Sequence, residues 1–569
     1  MASAVTTTDH ETDPAGSAGA LDLVLTQAGL SPLQRFVPGL SGVRFAARLA
    51  GQPRTVARRG ASLALELGRI AAGVSTLSPS RRDRRFRDDA WSGNPTLRRL
   101  VQAYLATGET LETLLADADL DWEDEERVGL VLDNLIQALA PSNNPFLNPS
   151  AWKTAIDTGG ASFVRGVRHL VDDMATSPRI PSSVPPGAFE VGRDLAVTPG
   201  AVILRTDVFE LIQYTPQTPQ VQRTPLLIVP PTINKYYIAD LAPGRSFVEY
   251  LVQQGHQVLI MSWRNPDARH AAWDLDTYGE AVLTALDATK RITHHDRVHL
   301  LGVCAGGIIT AMVLAHLAAE GSLDEQVATA NFAVTLLDQE HAGTTGAMVD
   351  EQVAAVAVAA SQARGYLDGR KLAEVFAWLR PNDLIWNYWV NNYLQGKTPP
   401  KFDILHWNGD STRMTAGLHR DFMDIALQNQ LTVPGTACVL GTPVDLRTVT
   451  LDSYVTAGIA DHICPWESCY QTTQLLGGRT RFVLSTSGHI ASIVNPPGNP
   501  KAQFQVSEHN PEDPGAWVEQ ASTQQGSWWP DFVAWLEARG DGTKRKPNRL
   551  GAAGFDELDP APGTYVLDS

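Results

Sequence analysis

Apolar and polar positions follow two different patterns along the chain. In the first third, apolar residues recur at helical spacing, and one such helix face consists of Leu97, Leu100, Val101, Tyr104 and Leu105. After a Pro/Ser-rich stretch that ends near residue 186, short β-branched runs alternate with helical stretches. This alternation predicts a mostly parallel sheet with helices on both faces. We therefore predict a disordered tail at 1–20, a helical N-terminal domain at 21–186 and an α/β domain at 187–569.

The α/β region contains one long interruption. Strand-like runs stop near residue 339, and a helical, aromatic-rich segment follows until about residue 435. The runs before it are Pro225–Val229, Gln257–Met261, Val298–Leu301 and Phe332–Leu337, and those after it are Thr436–Leu440, Ser453–Ala457 and Arg481–Ser485. The pattern predicts an insertion of about 100 residues, at 339–435, between two strands of one sheet.

A tight turn follows the third run, with the sequence Gly302-Val-Cys-Ala-Gly-Gly307. A strand, a turn with small residues around a nucleophile and a helix are the layout of a nucleophile elbow. Taken alone, this cysteine could equally be an ordinary buried residue. The elbow, the strand–helix alternation and the insertion together predict an α/β-hydrolase fold with an inserted cap subdomain, preceded by a helical N-terminal domain.

Partners for the nucleophile should lie past later strands, in the order nucleophile, acid, histidine. Asp461 follows the run Ser453–Ala457, and His489 follows Arg481–Ser485. The order and placement favour Cys304, Asp461 and His489 as catalytic residues. Asp338 is the rival acid, and Asp461 could instead cap a helix. His462 is adjacent to Asp461 and is at most a supporting residue.

Each predicted residue has a chemical role. His489 would take the proton of the Cys304 thiol, and Asp461 would orient the imidazole and stabilise its charge. The oxyanion of a tetrahedral intermediate needs backbone donors, of which the Ala305 N–H is one. The second donor should follow Pro230-Pro231, whose prolines have no N–H, so Thr232 and Ile233 are both candidates.

Cysteine at the elbow favours one class of reaction. Attack of a thiolate on an oxygen ester is uphill, because a thioester is the more activated acyl form. Attack on a thioester is a nearly neutral exchange that keeps the acyl group activated. The thiol therefore favours acyl transfer from a thioester over ester hydrolysis.

Composition narrows the possible partners. The chain has 46 Lys+Arg against 62 Asp+Glu, a net charge of −16, so a nucleic-acid partner is not expected. Four cysteines are too few for a disulfide framework, and Cys464 and Cys469 lack the histidines or further cysteines of a zinc site, so no metal is expected. The N-terminus lacks the features of a secretory signal, and the uncharged stretch 298–319 is explained by the elbow rather than by a membrane span. We expect a cytoplasmic protein without a transmembrane segment.

Ordered motifs from about residue 80 to the C-terminus resemble the polyhydroxyalkanoate synthases of the single-subunit type. They include "DRRFRDDAWSGNP", "PPTINKYYIADL", "GVCAGG", "RPNDLIWNYWVNNYL", "ADHICPW" and "SGHIASIVNPPGNPKA". The resemblance implies polymerisation of (R)-3-hydroxyacyl-CoA thioesters into a storage polyester, with CoA released as part of the substrate and no separate cofactor. It also implies a homodimer that binds the growing polyester and the granule surface, with the family's catalytic residues at Cys304, Asp461 and His489.

Two other functions stay open on the sequence. One is an α/β-hydrolase that acts as an acyl-CoA thioesterase or polyester depolymerase, and the other is a non-catalytic granule-coat protein. Monomer length is also open, since some motifs look closer to the medium-chain synthases and others to the short-chain ones. We expect short-chain activity with tolerance for longer monomers.

Overall fold

The computed structural model describes residues 39–81, 83–339, 351–461 and 463–568. The predicted tail at 1–20 and the possible supporting residue His462 lie outside the described residues, as do 21–38 and 340–350. Among the described residues, no helix is long and apolar enough to span a membrane.

The N-terminal region is helical, as predicted. Its helices are α1 (Gly39–Ala50), α2 (Pro53–Ala72), α3 (Ala90–Gly93), α4 (Pro95–Asp117), α5 (Trp122–Ala138), α6 (Pro149–Asp157) and α7 (Ala161–Ala175). Helix α4 begins where Asn94 accepts hydrogen bonds from the N–H groups of Thr96 and Leu97, with Pro95 in the first turn. A small core of Phe86, Trp91 and Val101 lies within this region.

In the part of the chain that the structure describes, the region after the N-terminal helices is built around a sheet of 11 strands. The strands of the α/β region are β1 (Gly200–Arg205), β2 (Phe209–Tyr214), β3 (Gln220–Gln222), β4 (Leu226–Val229), β5 (Val258–Trp263), β6 (Val298–Val303), β7 (Val327–Ala333), β8 (Tyr366–Leu367), β9 (Met414–Thr415), β10 (Cys438–Val439), β11 (Thr442–Pro443), β12 (Ser453–Gly458), β13 (Thr480–Ser485), β14 (Gln503–Val506), β15 (Ser522–Gln525), β16 (Thr543–Arg545) and β17 (Asp559–Pro560). The order across the large sheet is β15-β14-β13-β12-β7-β6-β4-β5-β2-β1-β17.

The six central strands, β13-β12-β7-β6-β4-β5, are parallel, and the outer strands pair antiparallel. The prediction of a parallel sheet is therefore confirmed for the centre, whereas the antiparallel strands on both sides were not predicted. These strands contain charged or polar residues such as Glu210 and Gln505, which weaken the apolar runs by which buried parallel strands are recognised.

The helices of this region lie on both faces of the sheet and in the cap. They are α8 (Phe247–Gln253), α9 (Leu275–Thr293), α10 (Ala305–Ala319), α11 (Leu323–Gln326), α12 (Glu351–Arg364), α13 (Gly369–Leu379), α14 (Asp403–Gly409), α15 (Ala416–Leu427), α16 (Trp466–Leu475), α17 (His489–Ile493), α18 (Pro514–Gln520) and α19 (Trp529–Glu537). Helices α9 and α10 pack in the core on one face, and α8 and α19 pack in the core on the other. Helix α10 is apolar on every side because it is buried almost throughout.

The cap is inserted between β7 and β12, which are neighbours in the sheet. It contains helices α12 to α15 and two π-helical turns, Asn382–Trp386 and Trp389–Leu394. The predicted fold class, an α/β-hydrolase fold with a cap and a helical N-terminal region, is confirmed. The domain boundaries that we placed at residues 20, 186, 339 and 435 stay predictions.

Two predicted strands differ from the structure. The strand predicted at Phe332–Leu337 overlaps only the end of β7, because β7 runs from Val327 to Ala333 and therefore lies closer to the N-terminus than predicted. The prediction that the sheet resumes at Thr436–Leu440 is wrong, because Cys438–Val439 pairs only with β11 in a two-stranded hairpin. Ala437 and Val439 are buried in the core that also holds α9 and α10, so their apolar character reflects packing on helices.

The N-terminal region contacts the cap through helix α7. Arg165 donates a hydrogen bond of 3.0 Å to the Gly396 carbonyl, and Tyr393 donates one of 2.7 Å to Asp173. A side chain at Gly166 would overlap the Tyr393 carbonyl oxygen. The second π-helical turn of the cap is therefore held directly against α7.

Candidate active site

Cys304 lies at a sharp turn between β6 and α10. Its backbone has φ +51° and ψ −123°, a conformation that non-glycine residues rarely adopt and that often marks a functional position. The Cys304 N–H donates to the Ala333 carbonyl at 2.9 Å, and the Gly307 N–H donates to the Cys304 carbonyl at 2.8 Å. A Cβ at Gly306 would overlap the Pro230 carbonyl oxygen, so the turn also needs glycine there. The predicted nucleophile elbow is present.

His489 and Asp461 meet at the same edge of the sheet. Both side chains are buried, and His489 Nδ1 lies 2.8 Å from Asp461 Oδ2. The other carboxylate oxygen of Asp461 accepts the N–H groups of Ile463 and Cys464, at 2.8 and 2.9 Å. Since both oxygens of Asp461 are engaged, the carboxylate and the imidazole are held in a fixed orientation.

The thiol of Cys304 lies close to this pair. The Sγ atoms of Cys304 and Cys464 and a ring nitrogen of His489 all lie within 4.8 Å of one another. Because Nδ1 faces Asp461, Nε2 is the ring nitrogen left for the thiol. The structure thus brings the three predicted catalytic side chains together.

The surroundings of Cys304 favour its thiolate. A hydrogen bond from the Cys464 thiol lowers the pKa of the Cys304 thiol, and His489 lowers it further. Burial acts in the opposite direction, and the resulting pKa is about 5. Burial opposes a charge on His489, but Asp461 and the Cys304 sulfur outweigh it and hold the pKa of the imidazole well above its usual value. A thiolate–imidazolium pair is therefore the favoured resting state near neutral pH.

The candidate oxyanion donors surround the elbow. The Ala305 N–H lies beside the Cys304 sulfur, where it helps to lower the pKa of the thiol. Thr232 and Ile233 follow the end of β4, whose Pro230 carbonyl packs on Gly306. Thr412 of the cap fixes their carbonyl groups, since its hydroxyl donates to Thr232 O at 3.0 Å and to Ile233 O at 2.6 Å. The choice between Thr232 and Ile233 stays open.

The rival acid lies elsewhere. Asp338 accepts a hydrogen bond of 2.9 Å from Asn429, whereas the carboxylate that contacts His489 Nδ1 belongs to Asp461. Asp461 also accepts backbone N–H groups, as the helix-cap alternative expected, but it does so while it orients His489.

Sequence reasoning missed two residues at this site. From the sequence, Cys464 was considered only as a metal ligand and was assigned no role in the site, whereas the structure places its sulfur beside that of Cys304. The available signal was its position three residues after Asp461, on the same loop. Thr412 was missed because its contact with the loop at 232–233 spans about 180 residues, as the two hydrogen bonds of its hydroxyl show.

Fold and site define the class: an α/β-hydrolase-fold protein with cysteine at the nucleophile position. Two family models match the chain. The model described as "Poly-beta-hydroxybutyrate polymerase (PhaC) N-terminus" covers residues 82–251, and the model described as "alpha/beta hydrolase fold" covers residues 225–496.

Curated relatives align over most of the chain. Poly(3-hydroxyalkanoate) polymerase 2 of Ectopseudomonas oleovorans is 48% identical over 88% of this chain and 89% of its own length. Poly(3-hydroxyalkanoate) polymerase 1 of the same organism is 44% identical over 93% of this chain and 94% of its own length. A poly(3-hydroxyalkanoate) polymerase subunit PhaC of Cupriavidus necator is 40% identical, covering 87% and 85%. The chain belongs to the poly(3-hydroxyalkanoate) polymerase family, and the predicted family is confirmed.

Proposed function

We propose that this acyltransferase polymerises (R)-3-hydroxyacyl-CoA thioesters into a polyester through a covalent acyl thioester on Cys304. The observation that carries the proposal is the arrangement of Cys304, His489 and Asp461 at the elbow of a polyhydroxyalkanoate polymerase family member. CoA takes part as the activating group of the substrate and is released, and no metal or other cofactor takes part.

The first step is acylation of the thiol. The Cys304 thiolate attacks the thioester carbonyl carbon, and a carbon–sulfur bond to Cys304 forms as the bond to CoA breaks. The His489 imidazolium gives its proton to the departing CoA thiolate. The exchange replaces one thioester by another, so the acyl group stays activated.

The second step is ester formation. Neutral His489 takes the proton of the 3-hydroxyl of an acceptor, and the hydroxyl oxygen attacks the acyl group on Cys304. An oxygen ester forms and the Cys304 thiolate leaves, which regenerates the thiolate–imidazolium pair. Asp461 stabilises the imidazolium that appears in this step, through its 2.8 Å contact with Nδ1.

The negative oxygen of each tetrahedral intermediate needs preorganised donors. The Ala305 N–H and an N–H from Thr232 or Ile233 are suited to this role, since both segments border the elbow. Thr412 anchors the second segment to the cap. The cap therefore contributes to the site by positioning the loop that carries a donor.

The cap also favours polymer over free acid. It lies between β7 and β12, and its Thr412 reaches the end of β4, so it stands over the carboxyl ends of the central strands. Exclusion of bulk water would protect the acyl-enzyme while a hydroxyl acceptor is admitted. Opening of the cap would then admit substrate and release polymer.

We further propose that the protein binds the polyester granule through helix α7. One side of α7 contacts the cap, and another side exposes Val164, Val167 and Val171, at 74%, 60% and 60% of their surface. Neighbouring Phe146 and Ile156 are also exposed, at 78% and 76%. Exposed apolar side chains at this spacing on one helix suit contact with a polyester better than contact with water. Replacing the three valines by Ser should reduce sedimentation with polyester granules, whereas Val356→Ser, an exposed valine of the cap, is the matched control.

We also propose a homodimer. Its support is the resemblance to the single-subunit synthases, and light scattering after size exclusion tests it by the measured molar mass.

A hydrolase remains the second candidate, because the model of the α/β-hydrolase fold matches residues 225–496. Thiol release does not separate the two functions, since both release CoA. Purified protein is therefore given 3-hydroxybutyryl-CoA and, separately, 3-hydroxyoctanoyl-CoA, and thiol, free hydroxy acid and turbidity are followed together.

We expect thiol release without matching free acid, and an insoluble polyester. Stoichiometric free acid would establish the thioesterase instead, and absence of any thiol release would favour the non-catalytic coat protein. The ratio of the two rates reports monomer preference, for which we propose short-chain activity with tolerance for the longer substrate.

A further inference from the structure

A second thiol lies at the catalytic centre, where it helps to stabilise the Cys304 thiolate but forms no bond to the acyl group in the proposed reaction. The Cys464 Sγ lies within 4.8 Å of both the Cys304 Sγ and a ring nitrogen of His489. Cys464 is buried, with 2% of its surface exposed, whereas Cys304 is partly exposed. Cys304 is therefore the more accessible residue of the pair.

We propose that Cys464 is a resolving thiol, which forms a reversible disulfide with Cys304 after hydrogen peroxide has oxidised Cys304. The proposal deepens the proposed function, since it concerns the same nucleophile. The disulfide would hold Cys304 in a recoverable state and prevent its further oxidation.

The chemistry balances in two steps. The Cys304 thiolate attacks one oxygen of hydrogen peroxide, the O–O bond breaks, and the departing hydroxide takes a proton from the His489 imidazolium to leave as water. Cys304 is then a sulfenic acid. Cys464 passes its proton to His489 and attacks the Cys304 sulfur, an S–S bond forms, and the displaced hydroxide leaves as a second water with that proton. Two thiols lose two electrons, and one peroxide is reduced to two waters.

Two features of the site favour the first step. The partly exposed Cys304 has its pKa lowered to about 5, so it is present as the thiolate, the form that peroxide oxidises. Burial raises the pKa of the Cys464 thiol well above its usual value, so Cys464 itself resists peroxide. His489, left neutral after the first step, supplies the base that Cys464 then needs.

The second step needs the two sulfurs to approach to about 2.05 Å. Cys464 belongs to the loop between β12 and α16, where its backbone N–H donates to Asp461. A change of the Cys464 side chain between staggered rotamers moves its sulfur without moving a strand or a helix.

The other two cysteines are less suited to this reaction. Cys438 is exposed in the hairpin of β10 and β11 and is not part of the group formed by Cys304, Cys464 and His489. Cys469 is buried on α16, where its thiol donates a long hydrogen bond of 3.8 Å to the Cys464 carbonyl oxygen and also contacts the Cys464 thiol. It is not part of the group formed by Cys304, Cys464 and His489. Cys469 is therefore the matched control, as a buried thiol of the same segment.

The test treats the full-length enzyme with hydrogen peroxide, blocks free thiols, and maps linked peptides by mass spectrometry before and after dithiothreitol. We expect a Cys304–Cys464 linked peptide and recovery of most of the CoA-releasing activity on reduction. In Cys464→Ser, Cys304 should appear as sulfinic or sulfonic acid, and recovered activity should be at least ten-fold lower. Cys469→Ser should behave like the wild type.

Three results would overturn the proposal. These are over-oxidised Cys304 without a link in the wild type, a link between Cys464 and Cys469, and equal recovery in Cys464→Ser and wild type. Peptide mapping reports the link whether or not the enzyme makes polymer, so failure of the proposed function would be recognised separately. The mapping of the wild type also stands if Cys464→Ser fails to fold.

Discussion

Protonation of Cys304 should follow a different pH dependence from that of an ordinary thiol. The lowered pKa of about 5 rests on a hydrogen bond from Cys464 and on the contact with His489. Because the pKa of Cys304 is lowered, its thiolate persists at neutral pH and is lost only as the pH falls through about 5. The perturbations that test this are a change of pH and the substitution His489→Gln.

The expected magnitude follows from the two pKa values. With a pKa of about 5, about 99% of Cys304 is thiolate at pH 7, against about 3% for a free thiol of pKa about 8.5. A thiolate of lower pKa is also a weaker nucleophile, since the logarithm of its rate constant falls by about 0.4–0.5 for each pKa unit. A thiolate whose pKa is about 5 is therefore about 40-fold less reactive than one whose pKa is about 8.5. The two effects nearly cancel at pH 7, and the rate at a single pH is uninformative.

The ratio of rates at two pH values separates the cases. Between pH 6 and pH 8 the thiolate fraction of a free thiol of pKa about 8.5 rises about 75-fold. For a pKa of about 5 the rise is about 1.1-fold. In His489→Gln the midpoint should move up by about 1–3 units, because an adjacent positive charge has been removed.

The assay is alkylation by iodoacetamide, followed by peptide mass spectrometry at Cys304, with glutathione as the reference thiol. The exposed Cys438 in the same samples reports reagent activity. A steep rise of Cys304 alkylation between pH 6 and pH 8, close to that of glutathione, would refute the thiolate–imidazolium pair. An unchanged midpoint in His489→Gln would show that His489 does not stabilise the thiolate.

Four further predictions concern the reaction and the cap. Cys304→Ala should lose both CoA release and covalent acyl labelling, and Cys304→Ser should retain little activity because a hydroxyl is the weaker nucleophile; labelling of the Ala variant would contradict this. In single-turnover experiments His489→Gln should block acylation, whereas Asp461→Asn should acylate slowly and fail to elongate; equal loss in both steps would reject separate roles. Hydrogen exchange over residues 351–435 should change after acylation if the cap moves. Thr412→Val should lower kcat about ten-fold with little change in KM, because the loop that carries an oxyanion donor loses part of its support. An unchanged kcat would show that Thr412 does not have this role.

Much of this protein could be predicted from local patterns. The central strands are buried on both faces, so their apolar runs stand out, and the small residues around Cys304 are required by the sharp turn itself. Asp461 and His489 could be selected because each follows a strand, and parallel strands present their carboxyl ends at one edge of the sheet. These features depend on neighbours in the chain and on the order of strands, both of which are visible in a sequence.

Contacts between distant segments were decided by the tertiary structure. The outer strands β2 and β14 are recognisable only once a neighbouring strand pairs with them. Within Thr436–Leu440, Ala437 and Val439 are apolar because they pack in the core with helices. Cys464 approaches Cys304 from a loop about 160 positions away, and Thr412 reaches the loop at 232–233 from the cap. Such approaches depend on the path of whole loops and on side-chain packing, which no local pattern records, and they determine which thiol lies beside the nucleophile.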